Sequence, residues 1–192
     1  MLDPSQDTYE IRWHGRGGQG AVTSSKILAV AGFRSGFAGV TAAPSFGAER
    51  RGAPITASTR LSRGPIRTVS QVTSPDIVVV LDESLLAVGG AMAGLKPGGT
   101  VIVNSTKSPD EPAISRDGCR VVTADVTGAA LAAGVVVGGA PMVNTAILGA
   151  IAAATGLIGM DSLEDAIADQ FPEAAAKKNR EAARLAYECT RG

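Results

Sequence analysis

The stretch Tyr9-Glu10-Ile11-Arg12-Trp13-His14-Gly15-Arg16-Gly17-Gly18-Gln19-Gly20 opens on strict alternation and closes on glycine. Apolar Tyr9, Ile11 and Trp13 alternate with polar neighbours through His14, the period of a strand with one buried face. Beyond the glycines, Val22, Ile27, Leu28, Val30 and Ala31 fall close to helical spacing, so a helix is expected from Ala21 to about Phe33. Strand, glycine turn and helix together form the opening unit of an α/β layered domain.

The rest of the chain continues that pattern. Ser35 to Pro54 is turn-rich, and Ile55 to Leu61 predicts a strand by its β-branched alternation. Ile77-Val78-Val79-Val80-Leu81 is a continuous apolar run, the mark of a strand buried on both faces in a parallel sheet, and Asp82 closes it. Ser84 to Ala93 is helix-like, Leu95 to Gly99 a turn, and Thr100 to Val103 a second buried strand ending at Asn104. Arg120 to Thr123 is a third, with Asp125 just beyond. Helices are expected over Pro141 to about Thr155, Ser162 to Gln170 and Pro172 to about Thr190, with Ser162 and Asp165 resembling a capping box. The expected fold is one layered α/β domain over residues 1–192, with a largely parallel sheet and a helical C-terminal part.

Composition narrows the chemistry. The 192 residues hold two cysteines, Cys119 and Cys189, and one histidine, His14. That is too few to ligate an iron–sulfur cluster or a Cys/His zinc ion, so no metal ligands are assigned here. With no C-x-x-C pair, a reducing compartment fits better than a disulfide framework. No basic and apolar leader opens the sequence, and the cytoplasm is the default location. Residues 126–160 carry no charged side chain, but Gly138-Gly139-Ala140-Pro141 and Asn144 interrupt them, which favours a buried helix over a membrane span. Formal net charge is zero. Residues 1–70 nevertheless hold nine Arg and Lys against four Asp and Glu, and residues 71–192 hold nine against fourteen. With no basic run interleaved with aromatics, nucleic acid is not an expected partner; a phosphorylated small molecule or an acidic protein face fits better.

Three local patterns carry candidate chemistry. Gly15, Gly17 and Gly20 satisfy G-x-G-x-x-G between strand and helix, where bare backbone N–H groups and a positive helix end approach a phosphate. Residues 35–43 lack the acid that would hold a dinucleotide ribose, and Ala21-Val22 stand where a Walker A motif needs Lys and Ser or Thr. The alternative is a tight turn that only packs helix on sheet. Phe46-Gly47-Ala48-Glu49-Arg50-Arg51-Gly52-Ala53-Pro54 sets two arginines between glycines, suited to phosphate or carboxylate, or to a solvated Glu–Arg pair. Gly139 to Thr145 leads into an apolar helix with Pro141 in its first turn. There Asn144 either satisfies nearby backbone or faces a ligand. His14 has no triad partners in the sequence and is expected to be packed or hydrogen-bonded; no catalytic residue is assigned.

In this order the patterns resemble the gamma subunit of 2-oxoacid:acceptor oxidoreductases, the pyruvate:ferredoxin oxidoreductase family. The matching stretches are Ile11 to Gly20, Phe46 to Pro54, Ile66 to Pro75, Val143 to Gly149 and Lys178 to Glu188. The resemblance implies a subunit of a complex that oxidatively decarboxylates a 2-oxoacid to acyl-coenzyme A, passing electrons to ferredoxin or NAD. It further implies alpha and beta subunits carrying thiamine diphosphate and Mg, a ferredoxin-like delta subunit carrying [4Fe–4S] clusters, and a flavin subunit in members that use NAD. Part of the coenzyme A binding would fall to this chain, through Gly15, Arg16, Gly17, Gly18, Gln19 and Gly20, with Arg50, Arg51 and Asn144. The Glu-Arg-Arg-Gly-Ala-Pro form suits pyruvate, or branched or aryl 2-oxoacids such as phenylglyoxylate, better than members reading Glu-Val-Arg-Gly-Gly. A scaffold subunit that touches no ligand, and a free-standing nucleotide- or coenzyme-binding module, are the alternatives.

Overall fold

The computed structural model describes residues 6–44, 50–67, 70–87 and 90–192. Phe46 to Glu49 of the arginine loop lie outside the described residues. Strand β1 (Thr8–Arg16) runs into helix α1 (Ala21–Arg34), as the opening stretch predicts, with the strand three residues longer than the alternation from Tyr9 to His14. The other strands of the main sheet are β2 (Gly39–Pro44), β3 (Pro54–Ser62), β4 (Ile77–Val80), β5 (Thr100–Asn104) and β6 (Arg120–Ala124). Their order is β2-β3-β1-β4-β5-β6. β1, β4, β5 and β6 are mutually parallel, whereas β3 runs antiparallel to both β1 and β2.

Burial separates the two kinds of strand. Every residue of β4 is buried, while β1 buries Tyr9, Ile11 and Trp13 and leaves Glu10, Arg12 and His14 half-buried on the opposite face. The main core joins Trp13, Ile77, Val79 and Leu81 to side chains of the α-helices. Val78, Val80, Val101 and Val103 face the other way, where Leu85 with Leu86, Met92 and Leu95 covers them. Thus the helices gather on one face, and short turns, in place of the usual second helical layer of a parallel sheet, close the other. Trp13 Nε1–H donates to Thr59 Oγ1 at 3.0 Å, and that hydroxyl donates to the Ser25 carbonyl at 3.0 Å. This buried relay fixes β1, β3 and α1 together.

Several expectations need correction. The turn-rich segment contains β2, whose weak alternation Gly39-Val40-Thr41-Ala42-Ala43 gave little signal; it pairs only with β3 and ends at Pro44, a residue tolerated at a sheet edge. Where the sequence predicts a helix over 84–93, the described residues hold a single 3-10 turn, Glu83–Leu86, and Gly90 and Gly94 adopt left-handed conformations that do not continue a helix. Pro141 does not start a helix. Gly138 and Gly139, both at positive φ, turn a small hairpin of β7 (Val136–Val137) and β8 (Ala140–Pro141), and α3 (Ala146–Thr155) begins later. An additional helix, α2 (Val126–Ala132), starts where the Asp125 carboxylate accepts from the Gly128 N–H at 2.7 Å. Helix α4 (Met160–Gln170) is preceded by Gly159, so Ser162 lies inside it and caps nothing. Helix α5 (Glu173–Cys189) follows Pro172 as expected. No described helix is long and apolar enough to cross a membrane. Among the described residues no cluster of three or more His, Cys, Asp or Glu is placed to hold a metal ion.

Helices α3 and α5 touch through backbone: a Cβ on Gly149 would overlap the Ala183 carbonyl oxygen. Gly149→Ala should therefore destabilise the fold by about 1–3 kcal/mol, read as a lower urea midpoint. Gly64→Ala, with open space around the added carbon, should stay within about 0.5 kcal/mol of the parent. On the half-buried face of β1, His14 Nε2 accepts from Arg12 Nε–H at 3.1 Å. Burial, assisted by the Arg12 charge, lowers the imidazole to about 4. The unfolded chain takes up this proton first, so His14 lowers stability as pH falls from about 6.5 towards 4 and has no effect above that range. Its ring protons followed by NMR should show no midpoint between about pH 5 and 8; a midpoint near 6.5 would mean an exposed imidazole.

Candidate anion-binding site at the start of α1

The chain leaves β1 towards β2 and β3 on one side, and leaves β4 towards β5 on the other. The C-terminal ends of β1 and β4 therefore flank a crevice of the kind where α/β sheets bind ligands. Arg16, at the end of β1, bridges it. Its Nε lies 2.8 Å from Asp82 Oδ2, its Nη2 donates to Ser84 Oγ at 2.8 Å, and its Nη1 to the Gly52 carbonyl at 3.1 Å. Burial pushes the Asp82 carboxyl up, but hydrogen bonds from Ser84 and Arg16 outweigh it and the net direction is down. Arg16 is thus a brace across the crevice, and Asp82 and Ser84, which sequence reasoning did not assign, hold it. The only signal for them was the acid that closes the apolar run Ile77 to Leu81.

The glycine turn is closed from within. Gln19 Oε1 accepts from the Arg16 N–H at 2.7 Å, and the Gln19 N–H donates back to the Arg16 carbonyl at 2.9 Å. Gly17 exchanges backbone bonds with the arginine segment: its N–H donates to the Ala53 carbonyl at 2.8 Å, and its carbonyl accepts from the Gly52 N–H at 3.0 Å. A Cβ on Gly17 would fall on the Arg50 carbonyl oxygen, which is why the residue is glycine. Gly15, within β1, is buried against Ala21 and Leu81. Gly20 caps α1 in the left-handed conformation, φ 81°, and a Cβ there would lie 2.7 Å from Asn144 Cβ.

What faces outward is a set of donors. The first internal bond at the helix start runs from the Ser24 N–H to the Gly20 carbonyl, so the N–H groups of Ala21, Val22 and Thr23 have no helical acceptor. No side chain caps them, and the first turn holds no acid. Gly18 and Gly20 N–H groups also find no acceptor among the described residues. Arg50 and Arg51 are exposed, and no described residue pairs with either guanidinium. Arg51 Cγ lies 4.0 Å from where a Gly18 Cβ would be, over the turn. Asn144 is only 6% exposed; its Oδ1 accepts the Thr145 N–H at 3.0 Å, which fixes the amide, and its Nδ2 beside Gly20 has no described acceptor. The structure therefore brings all nine sequence-predicted residues to one end of α1. Arg16 and Gln19 turn their polar groups inward, and Arg50, Arg51, Asn144 and the free N–H groups remain available. Such an array is suited to an anion with several oxygens.

A family model, pyruvate ferredoxin/flavodoxin oxidoreductase, matches residues 10–189. The pyruvate/ketoisovalerate oxidoreductases common subunit gamma of Thermococcus kodakarensis is 50% identical over 183 residues, covering 94% of this chain and 96% of its own. The crystal structure of the pyruvate oxidoreductase subunit PORC from Thermotoga maritima superposes with a TM-score of 0.79 at 34% identity, over 97% of this chain and 98% of that one. The fold also recurs in a 2-oxoglutarate:ferredoxin oxidoreductase of Magnetococcus marinus, with a TM-score of 0.73 at 21% identity, covering 96% of this chain and 32% of that one. With both sequence and fold matched over nearly their whole length, the chain belongs to the pyruvate ferredoxin/flavodoxin oxidoreductase family, among its gamma subunits.

Proposed function

We propose that this gamma subunit binds coenzyme A phosphates at the start of α1 within a complex that converts a 2-oxoacid and coenzyme A to acyl-coenzyme A and carbon dioxide. The observation that carries the reading is the convergence of the N–H groups at Gly18 and Gly20 to Thr23 with two exposed arginines and the Asn144 amide, none of the N–H groups or guanidinium groups having a partner among the described residues. Coenzyme A presents a diphosphate and a 3′-phosphate, and backbone donors with guanidinium forks suit both. The Magnetococcus marinus enzyme was solved with 2-oxoglutarate, coenzyme A and succinyl-coenzyme A bound, so this fold occurs in an enzyme that handles the same ligand.

The reaction centre lies with partners in this reading. Two cysteines and one histidine cannot hold [4Fe–4S] clusters, and the neutral, hydrogen-bonded His14 is not poised for proton transfer. Alpha and beta subunits carrying thiamine diphosphate and Mg, and a ferredoxin-like delta subunit, supply decarboxylation and electron transfer in the cytoplasm. Pyruvate is the proposed substrate, in line with the names of the relatives, and ferredoxin the proposed acceptor, in line with the description of the family. The chain's own contribution is to hold the coenzyme while its thiol meets the acyl group formed elsewhere.

Arg51→Ala in the assembled complex should raise the coenzyme A concentration for half-saturation by about ten- to a hundredfold, the scale of one lost charged hydrogen bond. Coenzyme A-independent decarboxylation should be unaffected. The exposed arginines also suit a carboxylate on a neighbouring subunit. If that is their role, the variant loosens the complex in size-exclusion chromatography and leaves coenzyme A dependence intact. A variant normal in both respects removes Arg51 from the site.

A further inference from the structure

Behind the anion site lies a buried polar chain that reaches α5. Asn179 is 6% exposed and Thr145 is fully buried. Asn179 Nδ2 donates to the Ala175 carbonyl at 2.8 Å, one turn back on its own helix. That bond orients the amide, so Oδ1 points at Thr145, whose hydroxyl donates to it at 2.6 Å. Thr145 in turn gives its backbone N–H to Asn144 Oδ1 at 3.0 Å. On the α1 side, Ser24 Oγ–H donates to the Asn144 carbonyl at 2.7 Å. The bond to Ala175 sets the Asn179 amide and so makes the Thr145 hydroxyl a donor. The other directions follow from the groups themselves, since a backbone N–H donates and a carbonyl accepts. Both amide oxygens and the Thr145 hydroxyl are satisfied, and the Asn144 Nδ2 donor, beside Gly20, finds no acceptor among the described residues. A polar side chain only 6% exposed that ends such a network with an open donor is suited to a ligand. Asn179 and Thr145 touch none of the turn's free N–H groups, so their part is to set where Asn144 stands.

We propose that Asn179 and Thr145 are positioning residues that lock the Asn144 amide towards the start of α1, so that Nδ2 donates to the bound anion. The proposal rests on the coenzyme A reading of that site and deepens it. It also gives a use to the Lys178 to Glu188 stretch, which the site itself did not absorb.

The test uses the intact complex and coenzyme A as probe. Asn179→Ala should raise the KM for coenzyme A about three- to tenfold, as expected for one mispositioned neutral hydrogen bond, with kcat held at saturating coenzyme A. Thr145→Val, which removes only the hydroxyl, should do the same and carries the test if Asn179→Ala fails to assemble. Thr145→Ser keeps the donor and should restore the parent KM to within about twofold. The deciding measurement is the double variant: on an Asn144→Ala background, itself raised in KM, removing the Thr145 hydroxyl should add nothing. Effects that multiply, or single variants at 145 and 179 with parent KM while Asn144→Ala is impaired, overturn the positioning role. Parent KM in Asn144→Ala overturns the coenzyme A reading itself, and the proposal falls with it.

Discussion

Two backbone hydrogen bonds, from the Gly17 N–H to the Ala53 carbonyl and from the Gly52 N–H to the Gly17 carbonyl, tie the end of β1 to the arginine segment. They form only because Gly17 has no side chain to strike Arg50. The same economy of volume recurs at Gly20, where the absent Cβ lets Asn144 close on the cap of α1. Residues 17, 51 and 144 are remote in sequence, and these two close approaches put them around one helix start. A side chain at either glycine would move the donors apart before it changed any charge. The site therefore depends on packing first and on electrostatics second.

The charge imbalance of the sequence acquires a structural meaning. Much of it is internal pairing between the basic first third and the acidic remainder: Arg16 with Asp82, and Arg34 with Asp165 and Asp169. Arg60, itself nearly buried, pairs with Glu10, and Arg12 is committed to the Ala91 and Ala93 carbonyls. Arg50 and Arg51 differ in that their segment is held by its backbone, and neither guanidinium has a partner among the described residues. A basic region that looked like one diffuse field thus includes several closed pairs beside the arginines of the site.

How much was legible in the sequence follows from where each signal lived. Ile77 to Leu81 and the alternation from Tyr9 to Trp13 announced themselves because burial acts on every residue of a run, and the parallel sheet followed. β2 was missed because Gly39 to Pro44 is a half-buried edge whose pairing with β3 is set by tertiary contact, not by its own residues. Pro141 misled because a helix first turn and a hairpin strand both accept proline, and the left-handed Gly138 and Gly139 decide between them. For the site, glycine spacing gave the turn, but no local pattern showed that Arg16 and Gln19 face inward. Likewise the partners Asp82, Ser84, Thr145 and Asn179 sit on other elements, and only the fold brings them into contact.

The central claim is that the open N–H groups at the head of α1 are a coenzyme A phosphate site. Amide hydrogen exchange on the assembled complex, with and without coenzyme A, tests it at those atoms. The account predicts that saturating coenzyme A slows exchange at Gly18 and at Gly20 to Thr23, and that amides around Asp165 and Asp169 of α4, which pair with Arg34 at the far end of α1, are unchanged. Unaltered exchange at the head of α1, in a complex that turns over and is saturated with coenzyme A, would contradict it.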